Sequence, residues 1–133
     1  MKIGYKQLLE DARKEIKAIS ARDAIARRGD ETVVFVDLRD IRELQRDGMI
    51  PNAFHAPRGM LEFWVDPESP YHKEIFASGK QFIFYCASGW RSALATQVVQ
   101  RMGLAPVTHI EGGFTAWREA GGAIEKKEEK RAG

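Results

Sequence analysis

The chain has 133 residues and a formal net charge of +2 at pH 7, with 44 % hydrophobic and 30 % charged residues. This length fits one domain, which buries roughly two thirds of the surface that its extended chain exposes. Basic residues are interspersed with acidic ones and form no block, so a nucleic-acid partner is not expected. The charged N-terminus lacks the apolar stretch of a secretion signal, and no segment approaches membrane-spanning length. We therefore expect a cytoplasmic protein without a membrane partner.

The chain contains one cysteine and three histidines. A single cysteine cannot form an internal disulfide, and it cannot supply a multi-thiolate metal site. The histidines at 55, 72 and 109 are dispersed, without the spacing of a zinc site or of a catalytic base. We expect neither a metal nor a cofactor, and any chemistry at the cysteine must come from its own reactivity.

Three regions follow one another along the chain. Residues 1–16 carry apolar side chains at helical spacing between Lys and Glu, which predicts an amphipathic helical extension packed on the domain. Residues 17–125 are predicted to form that domain. Residues 126–133 are charged and are predicted to be a tail.

The most strongly predicted strand is the continuous β-branched and aromatic run 32–38, a pattern typical of a strand buried on both faces of a sheet. A second apolar run, 82–85, leads to the cysteine. Shorter strands are predicted at 17–19, within 50–57 and at 107–110, and helices at 20–28, 40–46, 58–65, 71–77, 92–102 and 114–120.

Strands that alternate with helices through short loops predict the α/β class, with an open parallel sheet of about five strands and helices on both faces. Ligand sites in such sheets form beyond the carboxyl ends of the strands. Five reactive or charged side chains are expected to project there: Asp37, Arg39, Arg58, Cys86 and Glu111.

Cys86 stands where a predicted strand ends and a short loop begins. Ser92 is expected to cap the helix that follows, and the N–H groups of the loop and of the helix start favour an anion. An ordinary cysteine is only about 3 % thiolate at pH 7, so this setting together with Arg91 predicts an activated nucleophile. A buried, inert thiol is the alternative. The predicted anion-binding loop consists of Ala87, Ser88, Gly89, Trp90, Arg91 and Ser92.

Three ordered segments resemble the rhodanese-like sulfurtransferases. Residues 86–92 have the form C-x-x-G-x-R-S of the family's active-site loop, and residues 111–117 resemble its terminal G-G-x-x-x-W signature. Residues 36–53 resemble the D-x-R and G-H-I-P-x-A signatures, with Met49 where the family usually has histidine. The resemblance covers about residues 19–125 and implies a rhodanese-like fold.

The resemblance implies sulfur transfer through a Cys86 persulfide. The donor would be thiosulfate or a persulfide, and the acceptor would be external: cyanide, a small thiol or a protein. The loop amides would hold the terminal sulfur, and Arg91 would stabilise charge or bind the donor. Asp37 and Arg39 are expected to brace the site. Arg58 is expected either to bind an anionic donor or to be an exposed arginine at a helix start.

Two other functions are compatible with the sequence. The first is a rhodanese-like binding or sensor module that does not turn over. The second is a phosphatase or arsenate reductase on the same scaffold. The related cell-cycle phosphatases and arsenate reductases resemble C-x5-R, whereas Cys86 to Arg91 is C-x4-R, and the shorter ring suits a sulfur atom better than a tetrahedral oxyanion.

Overall fold

The computed structural model describes residues 1–128. The strands are β1 (Ala18–Ile19), β2 (Val33–Asp37), β3 (Phe54–His55), β4 (Gln81–Tyr85) and β5 (Val107–Ile110). The α-helices are α1 (Tyr5–Glu15), α2 (Ala21–Ala26), α3 (Ile41–Asp47), α4 (Leu61–Val65), α5 (Trp90–Met102) and α6 (Gly113–Glu119). Short 3₁₀ turns lie at Arg58–Met60 and Glu74–Ala77.

The five strands form one sheet in the order β1-β5-β4-β2-β3, and every neighbouring pair is parallel. The predicted open parallel α/β sheet is therefore confirmed. Asp37 at the end of β2 lies in register with Tyr85 at the end of β4. Because the strands are parallel, their carboxyl ends meet at one edge, and the residues that follow β2 and β4 become neighbours.

Alternate residues of the central strands face two separate cores, one on each side of the sheet. Val36 and Phe84 pack with residues of α4 and α5. Phe35 and Ile83 pack with residues of α2 and α6, where Trp117 is fully buried. Helices thus cover both faces, which explains why the strand sequences are apolar without alternation.

The first helix lies outside this layered structure, against α5. Leu9 and Ala12 are buried there, and Arg101 donates a hydrogen bond to the carboxylate of Glu15. At the other end of α1, the ring of Tyr5 packs on that of Trp90, with centroids 5.1 Å apart. The N-terminal helix therefore reaches the start of α5, next to the cysteine loop.

Some predicted elements differ in the structure. The helix predicted at 71–77 is a single 3₁₀ turn, Glu74–Ala77, and α2 ends at Ala26. After α6 the chain returns to the body, where Glu125 and Met49 exchange backbone hydrogen bonds of 2.8 and 2.9 Å. Residues 126–128 of the predicted tail are exposed, and 129–133 lie outside the described residues.

A buried ion pair joins the end of β2 to its surroundings. Arg39 Nη2 donates to Asp37 Oδ2 at 2.7 Å and to the carbonyl oxygen of Gly48 at 2.7 Å. Both side chains are almost fully buried, and the guanidinium carbon lies 4.3 Å from the ring centroid of Phe114. One cation thus ties β2, the chain after α3 and α6 together.

Removing one member of this pair should be costly, because it leaves the other charge buried without a partner. We expect Arg39→Met to lower the free energy of unfolding by about 3–5 kcal/mol, measured by urea denaturation. Arg42→Met is the matched control, since the Arg42 side chain is 88 % exposed, and we expect it to change stability by less than about 0.5 kcal/mol. An Arg39→Met protein as stable as the control would contradict the bracing role.

Candidate active site

Cys86 follows directly after β4, and its sulfur is held inside the turn that leads to α5. The backbone N–H groups of Gly89 and Ser92 point at Sγ, at 3.2 and 3.4 Å, and Ser92 Oγ lies 3.5 Å from it. The residue is only 1 % exposed. Three hydrogen-bonding groups therefore surround a buried sulfur, an arrangement that suits a sulfur anion.

Ser92 does not cap α5, which corrects the prediction from the sequence. The helix begins at Trp90, and Gly89 is its N-cap, with a φ of +102° in the left-handed region that glycine adopts without strain. Ser92 therefore lies inside the first turn, with its N–H directed to Cys86. Its hydroxyl contacts Cys86 and His109 instead of the helix backbone.

The start of α6 fixes the loop from the other side. The N–H groups of Phe114 and Thr115 donate to the carbonyl oxygens of Cys86 and Ala87, at 2.8 and 3.1 Å. A Cβ on Gly113 would lie 2.6 Å from the Cys86 carbonyl oxygen, and its φ is +61°. A glycine is thus required at this close approach, which gives a physical reason for the Gly-Gly pair before α6.

The guanidinium of Arg91 is held by a carboxylate from another helix. Its two terminal nitrogens donate to the two oxygens of Glu43 at 2.7 and 3.0 Å. This hydrogen bonding lowers the pKa of Glu43 below its usual value. Glu43 also accepts a hydrogen bond from the Asp40 N–H. The Glu43 side chain therefore links α3 to the start of α5. Glu43 was not predicted from the sequence, because its contact with Arg91 spans 48 positions and leaves no local pattern.

His109 is a second residue of the site that was not predicted from the sequence. It is buried on β5, and its Nδ1 lies 2.9 Å from Ser92 Oγ. Burial, with a smaller contribution from the nearby Arg13, lowers the pKa of His109 to about 4. A useful signal was its position one residue before the end of a strand adjacent to β4, since parallel neighbours end at the same edge.

The other predicted site residues lie around this centre. Asp37 and Arg39 hydrogen-bond to each other beneath the loop. Arg58 pairs with Glu62, one turn along the chain, at 2.7 Å. Glu111 is exposed, at the end of β5.

Within the loop, Ala87 is half-buried, whereas Ser88 and Trp90 are exposed. The residue before the cysteine, Tyr85, is buried and accepts a 3.1 Å hydrogen bond from the Ile50 N–H. Burial and the neighbouring Asp37 carboxylate raise the pKa of Tyr85. The phenol therefore stays neutral and anchors the end of β4.

The described residues, 1–128, contain neither a cluster of metal-ligating side chains nor a helix suited to span a membrane. Within them, no group of three or more His, Cys, Asp or Glu side chains is placed to hold a metal ion. No helix in this part of the chain combines the length and the apolar character needed to cross a bilayer.

A family model and a named relative indicate the same family for this chain. The family model "Rhodanese-like domain" matches residues 20–120. A "Sulfurtransferase" of Allochromatium vinosum is 31 % identical over 91 residues, which are 68 % of this chain and 77 % of that protein. The chain belongs to the rhodanese-like family.

Two solved structures are also similar. One is a Rhodopseudomonas palustris protein described as of unknown function and a possible tyrosine phosphatase. It is 56 % identical, with a TM-score of 0.92 over 94 % of this chain and 96 % of that one. The other is a rhodanese-related protein from Thermoplasma volcanium, 26 % identical, with a TM-score of 0.68 over 84 % of this chain and 99 % of that one.

The lowered pKa of His109 should make stability depend on pH. The unfolded chain takes up a proton here near the ordinary value of 6.5, but the folded protein does so only near 4. Stability should therefore fall as the pH drops from about 6.5 to about 4, by on the order of 3 kcal/mol from this group.

The measurement is the difference in unfolding free energy between wild type and His109→Asn at each pH. The carboxylates titrate in both proteins, so their contributions to the pH dependence of the unfolding free energy cancel in this difference. A difference that stays constant between pH 7 and pH 4 would contradict a buried neutral His109.

Proposed function

We propose that this protein is a sulfurtransferase that carries sulfane sulfur as a persulfide on Cys86. The observation that carries the proposal is the turn around the sulfur, in which Gly89 N–H, Ser92 N–H and Ser92 Oγ all lie within 3.5 Å of Sγ. Membership of the rhodanese-like family and the name of the Allochromatium relative support it.

In the first step, the Cys86 thiolate attacks the outer sulfur of thiosulfate. A new S–S bond forms at Sγ, the S–S bond of thiosulfate breaks, and sulfite leaves with the bonding electron pair. With a persulfide donor, a thiolate leaves in the same way. The product is a Cys86 persulfide whose terminal sulfur is negative, and the loop N–H groups are suited to stabilise it.

In the second step, a nucleophilic acceptor attacks the terminal sulfur and Cys86 leaves as a thiolate. The chain contains one cysteine. No second thiol of the chain can therefore attack the persulfide and form an internal disulfide. The acceptor is therefore external: cyanide in an assay, or a small thiol or a protein.

Phosphatase activity is a second candidate, because the 56 % identical Rhodopseudomonas structure is described as a possible tyrosine phosphatase. Two features argue against it here. Only four residues separate Cys86 from Arg91, and the Arg91 guanidinium is engaged by both oxygens of Glu43. A phosphate would need a wider ring and a guanidinium free to bind its oxygens.

The direct test is intact-protein mass spectrometry after incubation with thiosulfate. We expect the wild-type protein to gain one sulfur atom and, with cyanide added, to form thiocyanate. Cys86→Ala should show neither the added sulfur nor thiocyanate. His72→Asn is a suitable control, since the side chain of His72 donates its hydrogen bond to the carbonyl oxygen of Trp64 on α4.

Other outcomes would assign other functions. If neither thiosulfate nor a small-molecule persulfide adds sulfur to wild type, the sulfurtransferase proposal fails. Release of phosphate from an aryl phosphate, abolished by Cys86→Ser, would favour a phosphatase. Partner binding that Cys86→Ser retains, without any turnover, would favour a binding module.

A further inference from the structure

A chain of two short contacts leads from the reactive sulfur to a buried imidazole. Cys86 Sγ lies 3.5 Å from Ser92 Oγ, which lies 2.9 Å from His109 Nδ1. We infer that His109 is a positioning residue that sets the direction of the Ser92 hydroxyl, so that this hydroxyl donates to the sulfur anion of Cys86. The inference rests on the proposed sulfur transfer, because it concerns the anions which that reaction forms.

The fold places these groups independently of one another. Cys86 follows β4, Ser92 lies in the first turn of α5, and His109 belongs to β5. All three side chains are buried, with exposures between 0 and 4 %. No local sequence pattern predicts this arrangement. A buried hydroxyl between a thiol and an imidazole has few other hydrogen-bond partners.

The Ser92 hydroxyl has one proton, so its direction decides which form of the sulfur it favours. When Nδ1 is unprotonated, the hydroxyl donates to His109, and its lone pairs accept the proton of the Cys86 thiol. When Nδ1 carries a proton, His109 donates to Oγ, and the hydroxyl donates to the sulfur. The second arrangement stabilises a thiolate or a persulfide anion.

Ionisation of the thiol converts the first arrangement into the second. The S–H proton moves to Ser92 Oγ, and the Ser92 hydroxyl proton moves to His109 Nδ1, so that one proton is transferred in total and no electrons change hands. Loss of the Nε2 proton then leaves a neutral imidazole with its proton on Nδ1. Ser92 is unchanged apart from the direction of its O–H bond.

The released proton has a route to solvent. His109 borders a cavity of about 190 Å³ between α1 and the cysteine loop, which is also lined by Arg13, Ser88, Gly89 and Glu111. Glu111 places an exposed carboxylate at this cavity. The cavity thus connects the buried imidazole to groups in contact with water.

Burial, with a smaller contribution from the positive charge of Arg13, keeps the imidazole of His109 neutral. Arg13 of α1 places a positive charge near the imidazole, Ser92 of α5 contacts its Nδ1, and β1 contributes Ala18 to the cavity wall. Glu111 is the acidic group at the same cavity. An imidazolium formed here is unfavourable, so the proton is passed on and the neutral form with Nδ1–H remains.

The test is the pH dependence of Cys86 alkylation by iodoacetamide, which reports the thiolate without any sulfur donor. In Ser92→Ala and in His109→Leu, the pH of half-maximal alkylation rate should rise by about one unit, which makes the reaction about tenfold slower at pH values well below both midpoints. The double variant should show no more than the single shifts, because His109 acts through Ser92.

His109→Asn is the conservative variant, since an amide can accept from or donate to the Ser92 hydroxyl. Its profile should lie closer to wild type than that of His109→Leu. His72→Asn, which removes a histidine bonded to a backbone carbonyl oxygen, should match wild type. Circular dichroism should show that each variant is folded. If His109→Leu is not folded, the two variants Ser92→Ala and His109→Asn still test the inference.

Three results would overturn the inference: wild-type profiles in both single variants, a shift in His109→Leu that Ser92→Ala does not share, or additive shifts in the double variant. Sulfur transfer is tested separately. A protein that shows these shifts but gains no sulfur from any donor contradicts the sulfurtransferase proposal and leaves the role of His109 supported.

Discussion

The close approach of α6 to the cysteine loop is the contact on which the rest of the site depends. Two N–H groups at the start of α6 hold the carbonyl oxygens of Cys86 and Ala87, and the absence of a side chain at Gly113 makes the approach possible. Because these carbonyl groups are fixed from outside, the following N–H groups turn inward. The N–H groups of Gly89 and Ser92 thereby meet the sulfur.

A layer of buried polar groups supports this contact from below. The Asp37–Arg39 pair ties the end of β2 to the Gly48 carbonyl oxygen, and the Arg39 guanidinium packs on Phe114 of α6. Tyr85, the residue before the cysteine, is anchored by the Ile50 N–H. The loop is therefore a pre-formed structure, which is what stabilising an anion without reorganisation requires.

Much of the fold could be predicted because the central strands are apolar on both faces and the loops between elements are short. The position of Cys86 followed from the same reasoning, since a reactive side chain after a parallel strand lies at the ligand-binding edge. The predicted start of α5 was wrong, because Ser92 was expected to be the N-cap. In the structure the N-cap is Gly89, in the left-handed region.

The contacts of Arg91 with Glu43 and of Ser92 with His109 could not be predicted, because each joins residues that are distant along the chain and leaves no periodic pattern. The sequence likewise did not indicate the surroundings of Met49. The Met49 side chain is buried, and its backbone pairs with Glu125, so the segment after α6 closes over the position where the family usually has histidine.

The central claim is that the loop amides hold a negative sulfur on Cys86, and a crystal structure of the thiosulfate-treated protein tests it most directly. The account predicts one additional sulfur atom bonded to Sγ, with the terminal sulfur inside the turn and within about 3.5 Å of loop N–H groups. An unmodified Cys86, or a terminal sulfur directed away from the loop amides, would contradict it.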